Sequence, residues 1–147
     1  MANANPVQSY TPQKNYPSFS EQPNEVVTFT TFAAGAQTLT AAEILGGFIT
    51  GVPTAAANYT TDTALNIINA IQAAQVGSSI YFVLRNGAAG ADTITLVGGS
   101  GVTVNSGDTA TVAESNQKLF MVTVTTLPDV FGNGGAVTIR SMGTVVF

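Results

Sequence analysis

The chain has 147 residues, enough for one folded domain, and only Lys14, Arg85, Lys118, Arg140 and eight carboxylates are charged. That is 8 % of the sequence against about 25 % in ordinary soluble proteins, while 45 % is hydrophobic, so the chain is neither disordered nor protected by charge against association. Four scattered cations exclude a basic nucleic-acid stripe or an anionic-membrane patch, and the absence of Cys and His removes disulfides, thiolate metal sites and the commonest general bases.

Residues 1–25 are expected to form an extended arm. Pro6, Pro12, Pro17 and Pro23 punctuate a segment of Gln, Asn and Ser in which no apolar period is sustained. Tyr10, Tyr16 and Phe19 are spaced along it as anchors for a partner groove, the candidate partner-binding residues of the chain. A plain disordered tail is the alternative.

The folded domain is expected over residues 26–147. Residues 26–32 are rich in Val, Thr and Phe and predict a strand, and a second short strand ends near Leu39. Thr40 and Glu43 have the spacing of a capping box, Leu39 and Ile44 that of a hydrophobic staple, and Gly46 and Gly47 follow as a stop; the pattern predicts a short helical turn over 41–45. A short strand at 48–50 and a loop at 53–60 follow. Thr61 is the expected cap of a longer helix over about 62–75, with Leu65, Ile68, Ile71 and Ala74, joined by Ala64 and Ile67, on one face and Asn66, Asn69 and Gln72 largely on the other.

From residue 79 onward the pattern is strand and turn. Ile80, Phe82 and Leu84 alternate with Tyr81, Val83 and Arg85, and Ile94 and Leu96 alternate with threonines. Further strands are expected at 102–104, 109–113, 119–125, 136–140 and 144–147, divided by turns at 86–87, 98–101, 106–108 and 132–135. Short strands at regular spacing predict a mainly β domain, an antiparallel β-barrel or sandwich with one packed α-helix. Leu119, Phe120, Met121, Val122 and Val124 leave no polar side, which predicts a core on one face and either the helix or another subunit on the other.

Chemistry finds little to work with. Asp92, Asp108 and Asp129 fall in Gly-rich turns, where an aspartate ordinarily bonds its own backbone, and no stretch matches a calcium loop or a phosphate-binding loop. No catalytic residue, cofactor or metal is expected, although a hydrolase using paired carboxylates is a third possibility.

The segments Thr38-Leu39-Thr40-Ala41-Ala42-Glu43-Ile44-Leu45-Gly46-Gly47-Phe48-Ile49, Pro53-Thr54-Ala55, 62–71, 77–86, 93–96 and 101–103 together resemble the small β-rich virion proteins of tailed phages, cyanophages among them, and of some large DNA viruses. The resemblance covers roughly residues 26–147 and leaves the arm outside. It implies a capsid decoration or cement protein, often a homotrimer at a lattice axis, with the major capsid protein as partner. It further implies assembly in the host cytoplasm onto the capsid surface. Neither nucleic acid nor membrane is expected as a partner. The alternative within the same resemblance is a surface fibre or knob that binds host glycan or receptor; the absence of Trp weighs against sugar stacking.

Overall fold

A computed structural model describes residues 27–104 and 110–146. The arm, with Tyr10, Tyr16 and Phe19, and the expected turn at 106–108 lie outside the described residues.

Ten strands form two sheets: β1 (Thr28–Phe32), β2 (Gln37–Leu39), β3 (Gly47–Gly51), β4 (Ala57–Thr61), β5 (Ser79–Asn86), β6 (Ile94–Val97), β7 (Val102–Val104), β8 (Thr111–Val112), β9 (Asn116–Pro128) and β10 (Gly134–Val146). Two helices join them, α1 (Ala41–Gly46) and α2 (Ala64–Ala70). The larger sheet has the order β1-β3-β5-β9-β10-β7 and the smaller β2-β4-β6-β8. From β1 to β8 the chain alternates between them, one strand in each.

The fold is therefore mainly β with a packed helix, as the sequence predicts, but its pairing is mixed. β1, β3 and β5 run parallel, as do β2, β4 and β6. Only β5–β9, β9–β10 and β6–β8 are antiparallel among the described pairs. The chain winds as a flattened coil and is closed by a long antiparallel hairpin. The expected antiparallel barrel or sandwich is corrected in this respect for a simple reason. Alternation reveals which residues face inward, but not whether the next strand turns back beside its predecessor or crosses to the opposite sheet.

The inward residues meet between the sheets. Ile49, Phe82, Leu84, Phe120, Val122, Val124, Val137 and Ile139 of the larger sheet pack against Leu39, Tyr59, Ile94, Leu96 and Val112 of the smaller. Phe82 and Phe120 stack at 5.4 Å between ring centroids. Burying one such side chain contributes about 1.5–3 kcal/mol, so this cluster is the main source of stability. Asn86 is buried at the end of β5 yet fully engaged: its Nδ2 donates to the carbonyls of Asp92 and Val112 at 2.8 and 3.0 Å, and its Oδ1 accepts from the Ala88 N–H. It pins one sheet to the other where the sequence indicates only a turn.

The capping box at α1 is present. Thr40 Oγ1 accepts from the Glu43 N–H, and Glu43 Oε2 accepts from the Thr40 N–H at 2.8 Å. Gly47 ends the helix in the left-handed region at φ 89°, a conformation that favours glycine.

Two expectations need correction. The loop at 53–60 contains most of β4. Its inward residues Ala57, Tyr59 and Thr61 are buried, but they alternate small, aromatic and hydroxyl side chains, a pattern that does not register as apolar alternation. The longer helix is also shorter than 62–75. Thr63, not Thr61, caps it by accepting from the Asn66 N–H, and it stops at Ala70, where Ile71 turns extended. Beyond it Gly77 and Ser78 bond to Val124 of β9, which draws the chain away from the helix axis. Ala64, Ile67 and Ile68 are buried and Asn66 and Asn69 exposed, so the helix phase is as predicted.

Candidate docking surface

Because β1, β3, β5 and β9 pair in a fixed register, side chains on the outer face of the larger sheet line up in rows. Phe29, Phe48, Val83 and Leu119 are opposite one another across four strands. The rings of Phe29 and Phe48 lie 5.1 Å apart, tilted at 52°. The neighbouring row holds Tyr81, Met121 and Arg140. Beyond it comes a hydroxyl row of Ser79, Thr123 and Thr138, in which the Ser79 and Thr123 hydroxyls are 3.0 Å apart. On the other side run Thr31, Thr50, Arg85 and Gln117.

These rows form an apolar band bordered by hydroxyls. Their charges are Arg85 and Arg140, and no carboxylate stands among them. Phe29 is 72 % exposed, Tyr81 53 % and Leu119 40 %. The helices do not cover the band: Ala41, Ile44, Ala64, Ile67 and Ile68 join the cluster on the inner side of the sheet. Of the two covers the sequence allows for the two-sided apolar strands, the helix lies on the core side.

A second apolar feature is the tip of the β9–β10 hairpin. Val130 and Phe131 are 94 % and 84 % exposed. The turn beneath them is held by Asp129, whose Oδ1 accepts from the backbone N–H groups of Phe131 and Asn133, both at 2.9 Å. The Asp129 N–H donates to the Asn133 carbonyl, and the Gly132 N–H to the Asp129 carbonyl. The bond from the Asn133 backbone and the others, against a smaller opposing effect of burial, hold the Asp129 carboxyl below its ordinary range. This aspartate plays the backbone-bonding part the sequence gives it, and the two hydrophobic residues are presented on a hydrogen-bonded turn.

The chemistry of the surface clefts is sparse. One of about 340 Å³ is lined by Thr63, Leu65, Ser100 and Asn133 with glycines of the hairpin, and another of about 330 Å³ by Ile68, Asn69, Ile71, Ala74, Leu127 and Pro128. Neither is lined by an ionisable side chain. Glu43 and Asp62 are both engaged in capping α1, through Thr40 and Ala41. Among the described residues no group of three or more His, Cys, Asp or Glu side chains is placed to hold a metal ion, and no helix is long and apolar enough to cross a membrane.

The sequence-predicted anchors Tyr10, Tyr16 and Phe19 lie outside the described residues, so the surface consists of residues that sequence reasoning did not single out as a site. The Phe29–Phe48 pair depends on parallel pairing, which alternation does not reveal. The tip had a visible signal, two large apolar residues between Asp129 and Gly132 in a turn.

No protein-family model, no curated protein and no solved structure matches this chain.

Proposed function

We propose that this chain is a non-enzymatic structural protein of a virion, which decorates or cements a capsid by binding major capsid protein subunits and associates with itself, most simply as a homotrimer. The observation that carries the assembly part of this reading is the row Phe29–Phe48–Val83–Leu119, exposed at Phe29 and Leu119 and half-buried between them, in a chain with so few charges. Apolar bands of this kind, rimmed by polar residues, mark surfaces that are covered in the working protein. The virion setting, the capsid surface as final location and assembly in the host cytoplasm rest on the family resemblance of residues 26–147. In this reading the arm, through Tyr10, Tyr16 and Phe19, makes additional contacts with neighbouring subunits.

The test is binding of the purified chain to undecorated capsids. Saturable binding at fixed sites, with raised resistance of the shell to heat, supports the proposal; no binding to capsids of any maturation state refutes it. The projecting Val130–Phe131 tip favours a second reading, a fibre or knob that meets a host glycan or receptor. Binding to host cells that is lost in Phe131→Ser, with no binding to capsids, supports that reading instead.

A further inference from the structure

The outer apolar band needs an occupant, and the segment best matched to it is the arm of another copy. We propose that residues 1–26 of one copy lie across the outer face of the larger sheet of a second copy, with Phe19 and Tyr16 on the Phe29–Phe48–Val83–Leu119 row. The proposal rests on the self-association part of the reading above and names the surface that receives the arm.

Three observations point there. The arm joins the folded domain at Val27, directly before β1, the edge strand of the sheet, and Phe29 at the head of the apolar row is the second residue of β1. It therefore leaves the domain beside the band. The charges are also complementary. Residues 1–26 contain Glu21 and Glu25 and a single cation, Lys14, while the outer rows carry the exposed Arg140 and no carboxylate. Finally, composition matches: a segment rich in Pro, Gln, Asn and Ser with three spaced aromatics meets a band of apolar side chains flanked by hydroxyls.

Length decides between the chain's own face and a neighbour's. Six strands at roughly 4.8 Å spacing make a sheet about 24 Å wide. An extended arm at roughly 3.1 Å per residue places Phe19 about 25 Å from Val27, Tyr16 about 34 Å and Tyr10 about 53 Å. Laid across its own sheet from the β1 edge, the arm would carry all three aromatics to or past the far edge. The arm is long enough to reach an adjacent copy, and Phe19 and Tyr16, about 9 Å apart, fit together on a row about 14 Å long across four strands. Copies related by a closed rotation would each give an arm and receive one, so that no band is left open.

The native chain has no cysteine, so engineered pairs report cleanly. Full-length Phe19→Cys and Leu119→Cys proteins are mixed and oxidised with copper-phenanthroline. Asn58→Cys, exposed on the smaller sheet, replaces Leu119→Cys as the control, and melting curves verify that each variant is folded. The expected result is a mixed disulfide at twice the 15.0 kDa chain mass from Phe19→Cys with Leu119→Cys, several-fold above the control, and lowered when Glu21 and Glu25 are both replaced by Lys. A chain carrying Phe19→Cys and Leu119→Cys together that closes only within itself would overturn docking between copies. A yield no higher than the control would overturn docking on this face. The assay contains no capsid, so either failure leaves the decoration reading to be judged by capsid binding alone.

Discussion

The Asp62 carboxylate, at the end of β4, caps a helix that lies far from it in sequence: its Oδ2 accepts from the backbone N–H of Ala41 at 3.0 Å, in the first turn of α1. Its Oδ1 accepts from the Thr63 N–H at 2.8 Å and from the Asn66 side chain at 2.7 Å, both at the start of α2. One carboxylate thus ties together the beginnings of both helices, and both helices pack on the inner side of the larger sheet. The arrangement keeps that sheet's outer band clear.

Burial alone would raise the Asp62 carboxyl, but the bonds from Asn66, Ala41 and Thr63 outweigh it and hold the group below the ordinary aspartate range. A lowered folded value means that the ionised form favours folding. This contribution is complete above the unfolded value of about 3.9 and is lost as pH falls through the lower folded value. Asp62→Ala is expected to cost about 1–3 kcal/mol near neutral pH, because the Ala41 N–H loses its partner. Urea unfolding over a pH series is the measurement; the difference between wild type and variant should shrink below about pH 4.

Ile68 is 4 % exposed among core residues. Ile68→Asp places an unpaired charge there and is expected to cost roughly 3 kcal/mol or more in thermal unfolding. Sequence reasoning makes Asn66 a neutral site on the opposite face, but its amide is bonded to Asp62, so Asn66→Asp would oppose two carboxylates. The expected silent change is Asn69→Asp, within about 0.5 kcal/mol of wild type.

Tyr59 is completely buried, packs edge-on against Phe32 at 5.7 Å, and its hydroxyl has no hydrogen-bond partner among the described residues. Tyr59→Phe is therefore expected to be neutral or to stabilise the fold by up to about 1 kcal/mol in urea titrations. Burial pushes the phenol above its ordinary range, so wild type should lose stability as pH rises beyond about 10 and the variant should lose less. Gly51→Ala tests the same packing from the other side. A β-carbon there would strike the Tyr59 ring, and the change should be severely destabilising.

The sequence makes legible whatever depends on local pattern. The inward residues Phe82, Leu84, Ile94 and Leu96, the Thr40–Glu43 capping box and the phase of α2 all follow from spacing along the chain. Pairing partners do not. Parallel stacking of β1 on β3 on β5 is decided by contacts between segments far apart, and Phe29 and Phe48 reveal nothing of each other until that register exists. β4 escapes notice because Tyr59 is its one large apolar residue, and beyond Ala70, where α2 ends, Gly77 and Ser78 bond to β9, an interaction with no local sequence signal. The candidate docking surface shares this limit: its members are ordinary strand residues singly and a band only in register.

Self-association is the central claim, and the light-scattering mass of the full-length protein tests it most directly. The account predicts a stable species near three times the 15.0 kDa chain mass at micromolar concentration, reduced by Leu119→Asp on the outer band. A clean monomer at tens of micromolar would contradict it.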